Sequence, residues 1–246
     1  MKKTIILIAS IIIALSAFFI SILEFREEYV PISIFFIIAL CVPTYYFFIK
    51  KTNTKRAIIT LLALSIFSMI IETIGVITGF PYGFFTYTDK LGGSVGVIPW
   101  TVSFGWAPLV IAAWTIVQEH VKKTSYELIK KIVLGALILM LFDVVLDPGS
   151  VALNFWEWHP PGIFYGVPLS NYAGWLFSGI IGMLIITIIM KKEKPSNDFL
   201  ITAYLGNTFW TVVTLINGMI VPGIVGVIIT IVLTKKIFKK KEPKKR

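Results

Sequence analysis

Residues 142–175 read FDVVLDPGSVALNFWEWHPPGIFYGVPLSNYAGW. The stretch lies between two apolar segments long enough to cross a bilayer, yet it holds Asp143, Asp147 and Glu157 and no Lys or Arg. Around these acids stand Trp156, Trp158, Phe164, Tyr165, Tyr172 and Trp175. Carboxylates without basic partners, set among large rings, predict a place where an acid meets a large apolar ligand. The rest of the chain then builds the other walls of that place.

Outward from this stretch, composition decides the solvent. A chain of 246 residues that is 57% hydrophobic and 15% charged cannot hide its apolar surface in a soluble core of that size. Apolar windows of about 17 to 25 residues, the length that crosses roughly 30 Å of hydrocarbon as a helix, fall near 4–23, 30–49, 57–79, 100–118, 127–146, 173–190, 198–216 and 219–238. They predict an all-α fold, a polytopic integral membrane helix bundle of about eight transmembrane helices in one domain over 1–246, with a basic tail at 239–246. Lys2 and Lys3 precede the first span as in a signal peptide, but its long apolar run and the lack of a small-residue cleavage site read as a retained helix.

The net charge of +10 does not point to nucleic acid, because the basic residues fall in short clusters between spans. With eight crossings, all of the 23 Lys and Arg except Arg26 and Lys90 lie on one side. The positive-inside rule then places both termini in the cytoplasm and turns loops 80–99 and 147–172 outward, in a multi-pass protein of the cell membrane. Asn217-Gly218 reads as a tight outer turn, and the tail KKIFKKKEPKKR as a contact for anionic lipid.

Polar residues within the spans fall on single faces. Ser65, Ser68, Glu72, Gly75 and Gly79 share one face of the third helix, and Tyr204, Asn207, Thr208, Thr211 and Thr214 one face of the seventh. Gly174, Ser178 and Gly182 form a small-residue stripe on the sixth, suited to close backbone approach. Helix packing accounts for the glycines and serines, but Glu72 needs more. It lies roughly 10 Å below the outer end of its helix, at 1.5 Å per residue, where a carboxylate costs about 2.5 to 3.5 kcal/mol. No basic residue stands at a matching depth.

Asp143 and Asp147, four apart, share a face near the outer end of the fifth helix, which Pro148 and Gly149 are expected to end. One such acid can donate a proton while its neighbour stays ionised. The loop GFPYGFFTYTDKLGGSVGVIPW, residues 79–100, adds Phe80, Tyr82, Phe84, Phe85, Tyr87 and Trp100. Rings at this level anchor a protein at the headgroups, and a desolvated ring face also stabilises a cation by roughly 0.5 to 2 kcal/mol. Cys41, His120 and His159 stand alone, without a second ligand at metal-site spacing, so no metal site is expected.

Two blocks of sequence carry a family likeness. Glu72-Thr-Ile-Gly75, Gly79, Pro81-Tyr82-Gly83, Tyr87, Pro99 and Trp106 form the first. The second comprises Asp143-Val-Val-Leu-Asp147-Pro148, Asn154-Phe-Trp156-x-Trp158 and Tyr165-Gly-Val-Pro-Leu169-x-Asn171-Tyr172-x-Gly174-Trp175. Together they cover about a third of the chain, which resembles the carotenoid biosynthesis membrane proteins of the CruF type, carotenoid 1,2-hydratases that include the archaeal bisanhydrobacterioruberin hydratases. The resemblance implies cofactor-independent addition of water to the terminal 1,2 double bond of an acyclic carotenoid, giving a tertiary alcohol. The expected partners are that carotenoid, membrane lipid and other enzymes of the carotenoid pathway.

Such chemistry needs an acid to protonate the alkene and walls to shield a tertiary carbocation until water arrives. The candidate catalytic residues are Glu72, Asp143 and Asp147, with Asp143 or Glu72 as donor and Asp147 or its partner orienting water. Contacts to the polyene end are expected from Tyr82, Tyr87, Trp100, Trp106, Trp156, Trp158, Tyr165, Asn171, Tyr172, Trp175 and Asn207.

Three other readings compete. A carotenoid end-group cyclase shares the first protonation but traps the cation with a double bond. An intramembrane prenyltransferase would use Asp143-x-x-x-Asp147 for magnesium diphosphate, but the outer loops offer only Lys90 against that charge. A proton-coupled transporter with Glu72 as relay needs a polar path across the membrane, whereas the acids crowd the outer half.

Overall fold

The computed structural model describes residues 2–23, 26–121 and 125–239. Lys122, Lys123 and residues 240–246 of the basic tail lie outside the described residues. Eight long helices form a bundle: α1 (Lys2–Ile22), α2 (Val30–Lys51), α3 (Thr54–Thr78), α4 (Trp100–His120), α5 (Glu127–Ala152), α6 (Leu169–Ile189), α7 (Ile201–Ile216) and α8 (Ile220–Phe238). All but α5 are long and apolar enough to cross a membrane by length and composition, α7 together with the turn that precedes it, as Asn197–Ile216. α5 has 26 residues and carries Lys130, Lys131, Asp143 and Asp147 within its apolar run. The chain is a multi-pass membrane protein.

Each helix buries one face and offers hydrocarbon the other. On α3, Leu64, Ser68, Glu72 and Gly75 are buried while Ile66, Ile70 and Ile77 are exposed, the reverse of a soluble protein's economy. α3 starts at Asn53, whose side chain accepts from the backbone N–H of Arg56 at 3.1 Å, and stops at Gly79, whose φ of 77° only glycine adopts readily. α3, α4 and α6 pack together around Leu64, Trp114 and Met183, all fully buried.

One end of the bundle gathers paired charge. Arg56 bonds Glu193 at 2.9 Å, Lys236 bonds Glu119 at 2.6 Å, Lys131 bonds Glu127 at 2.5 Å, and Lys51 pairs with Asp198. The ends of α1 and α8 meet on this face, where Lys3 Nζ donates to the carbonyl of Phe238 at 2.7 Å. The opposite end is closed by loops instead. There β1 (Phe85–Tyr87) pairs antiparallel with β4 (Trp156–Trp158), joining loops about seventy residues apart in sequence, and β2 (Ser94–Val95) pairs with β3 (Ile98–Pro99).

Two expectations need correction. α5 does not end at Pro148-Gly149 but continues to Ala152. Membrane helices tolerate an internal proline when neighbours pack around it, and Gly149 lies directly under Trp210 of α7. The chain breaks at Asn154, whose φ is 55°. The α6 stripe does not serve close backbone approach as a whole. A Cβ on Gly174 would fall 2.5 Å from the Tyr82 ring, and one on Gly182 2.6 Å from the Trp106 ring, so these glycines are hollows that receive aromatic rings. The helix contact is made by Gly179, whose added Cβ would lie 3.2 Å from Ala136 Cα of α5.

Candidate active site

The β1–β4 ribbon sorts side chains by the alternation of a strand. Phe85 faces Trp158 and Tyr87 faces Trp156 on the inner side, whereas Thr86 and Glu157 face out. Glu157 is thereby removed from the acid cluster that its position in the sequence suggested. Its side chain is 56% exposed, and its Oε1 lies 3.6 Å from His159 Nε2.

The other three acids come together. Glu72 projects from α3, and Asp143 and Asp147 from α5; all three are buried. Among the described residues, no ion pair involves any of them. Tyr87 donates its phenol proton to Glu72 Oε2 at 2.8 Å. Burial, and next the Glu72 charge beside it, hold the Tyr87 hydroxyl well above the usual phenol range, so it remains a donor. Across the site, the Asn171 amide donates to Asp143 Oδ2 at 2.8 Å and Asp147 Oδ2 at 2.5 Å. The indole N–H of Trp156 also faces Asp147, and Glu72 lies within electrostatic reach of Asp147.

A cavity of about 480 Å³ opens beside these groups, within the range of small-molecule sites. Glu72 and Asp147 line it together with Tyr82, Tyr87, Trp106, Trp156, Trp158, Asn171, Trp175 and Asn207. Its walls are otherwise almost wholly apolar. Tyr82 is wedged between Gly75 of α3 and Gly174 of α6, so that two helices and the outer loop meet at one ring. Its carbonyl accepts from Trp158 Nε1 at 3.2 Å and from Ser170 Oγ at 3.3 Å, which ties the second loop to the first.

Four of the expected residues lie behind or beside the cavity. Asp143 is fully buried in back of Asp147, and its Oδ1 has no hydrogen-bond partner among the described residues. Trp100 packs on Phe104 at the start of α4. Tyr165 and Tyr172 both stack edge-on against Phe164. Among the described residues, no three His, Cys, Asp or Glu side chains are placed to hold a metal ion.

A family model described as carotenoid biosynthesis protein matches residues 29–233. The chain belongs to that family. Among curated proteins, this carotenoid biosynthesis protein is similar to the bisanhydrobacterioruberin hydratase of Haloarcula japonica, with 41% identity over 132 residues. The match covers 53% of this chain and 45% of that protein, so it spans less than half of the relative's length. No solved structure matches the chain.

The cavity of this family member also has walls that the sequence did not announce. Phe155, Phe209 and Trp210 line it, as do residues of α1 and α2 that look like ordinary lipid-facing positions. The available signal was a pair of isolated helical glycines. Gly105 has nothing within 4 Å of an added Cβ, and Gly206 only Leu40 at 3.4 Å, because both face the cavity.

Proposed function

We propose that this protein, in the cell membrane, adds water to the terminal 1,2 double bond of an acyclic carotenoid end group and produces a tertiary alcohol. The observation that carries the proposal is that carboxyl groups from two different helices, Glu72 and Asp147, line one otherwise apolar, ring-walled cavity. The name of the Haloarcula japonica relative points to the same class of reaction.

The chemistry follows from the arrangement. Two carboxyl groups bridged by one amide share a proton more readily than they carry two charges, and Asp147 is the member that reaches the cavity. Asp147, in place of the Asp143 or Glu72 expected from the sequence as donor, protonates C2 of the terminal alkene, the π electrons form the new C–H bond, and a tertiary cation remains at C1. Tyr82, Trp156, Trp158 and Trp175 surround that cation and exclude bulk water. Glu72, held by Tyr87, orients one water molecule; the water oxygen bonds to C1 and its released proton passes to Glu72. Return of that proton to the aspartate pair restores the site, so alkene and water become alcohol with no net proton consumed. Asp143 does not touch the substrate in this scheme and acts as a positioning residue for Asp147.

Incubating membranes that contain the protein with an acyclic carotenoid in heavy-oxygen water tests the reading. The expected product carries one labelled hydroxyl per hydrated end. An isomer of unchanged mass would instead assign the protein to end-group cyclisation, and unaltered substrate would remove the enzymatic reading.

A further inference from the structure

The cavity does not end at the acids. From Glu72 and Asp147 its lining runs without a break along α2, through Ile32, Phe36, Ile37, Leu40 and Cys41, over a floor of Ala203 and Gly206 on α7. Ile32 to Cys41 is nine residues, or roughly 13 Å of helix axis at 1.5 Å per residue. α1 packs mainly on α7 rather than on α2, and Ser16 and Ile20 of α1 form the facing lip. The lip is open to the outside of the bundle: Ile20 is 37% exposed and Ile32 63%.

We infer that this slot between α1 and α2, floored by α7, is a binding site for the linear polyene shaft of the substrate, which reaches the acids sideways from the bilayer. The inference rests on the hydration reading and deepens it. The cavity, slot included, measures about 480 Å³, room for an end group and a short length of chain, so the remainder of a long carotenoid must leave through an opening. A groove that is apolar, linear, continuous with the acids and open where hydrocarbon would lie supplies that exit. Gly206 is the residue that keeps the slot clear. A Cβ there meets only Leu40 Cδ2 at 3.4 Å, ordinary contact, while the rest of a larger side chain would occupy the slot. The protein therefore takes one end of its substrate at a time, and the other end stays in the membrane.

Substrate length tests this. Wild type and Gly206→Leu, in membranes, are given a full-length acyclic carotenoid and a truncated acyclic isoprenoid with the same terminal group. Wild type hydrates both. Gly206→Leu is expected to slow the full-length compound at least tenfold more than the truncated one, the split that a blocked slot beside a working acid site produces. Equal rates on both compounds in the variant and wild type would overturn the slot. If Gly206→Leu loses both activities, Ile37→Trp on the opposite wall must show the split, and loss of both or neither there overturns the proposal. Failure of wild type on both compounds would instead overturn the hydration reading, and the slot's ligand with it.

Discussion

Tyr87 Oη lies 2.8 Å from Glu72 Oε2, which fastens a carboxyl group inside a transmembrane helix to a strand of the outer loop. The strand pairing places Tyr87 opposite Trp156, and Trp156 in turn faces Asp147. The short ribbon therefore sets the two acids relative to each other. A hydrogen bond to a charged group contributes about 1.5 to 3 kcal/mol. Tyr87→Phe keeps the ring and removes the donor, so hydration should fall roughly ten- to hundredfold, and the unfolding temperature should fall too because the buried Glu72 carboxyl loses that donor. Equal activity in the variant would show that Glu72 does not depend on this anchor.

Asn171 holds Asp143 and Asp147 through one amide nitrogen. Asn171→Ala leaves two buried carboxyl groups without that donor, at a cost of about 1 to 3 kcal/mol. Both the unfolding temperature in detergent and the hydration rate should drop. Asn171→Gln, which keeps an amide but shifts it by one methylene, should recover more of the stability than of the rate.

Gly174 and Gly179 lie on the same helix but serve different neighbours. Gly174→Ala drives a methyl group to 2.5 Å from the Tyr82 ring and 2.9 Å from the Pro81 carbonyl, overpacking of a kind that costs about 1 to 3 kcal/mol. It should also displace Tyr82 and reduce hydration. Gly179→Ala, with contacts from 3.2 Å to Ala136 and Leu139, should lose less stability and leave the rate unchanged. Thermal unfolding and rate measured side by side separate the two.

Glu157 faces outward from β4, so Glu157→Gln should hydrate within about twofold of wild type, as exposed positions away from a site generally do. A large loss would place this carboxyl in the chemistry despite its exposure.

The membrane bundle and the acid cluster were legible because hydrophobic length and uncompensated charge are local properties of the chain. Eight apolar windows mark eight helices, and Glu72, Asp143 and Asp147 stand out by depth and lack of cations. What could not be read were relations across space. Nothing in residues 85–87 or 156–158 announces that they pair, so the outward turn of Glu157 was hidden. Gly174 and Gly182 carry the usual signature of helix packing; that rings from a loop and from α4 fill them depends on a chain path set elsewhere. Pro148 follows the local rule for ending a helix, and burial against α7 overrides it. The α1–α2 wall of the cavity is invisible in sequence for a similar reason, since a residue facing a lipid-like ligand and one facing lipid are the same residue.

The amide series at the cavity tests the central claim most directly: Glu72→Gln and Asp147→Asn, each expressed in a host that accumulates an acyclic carotenoid, with pigments analysed by mass. Wild type should convert the pigment to species heavier by one water per hydrated end, and each amide should leave it essentially unhydrated while the protein remains folded in the membrane. Hydration at the wild-type rate in both amides would contradict the account, because no carboxyl group lining the cavity would then be needed for the reaction.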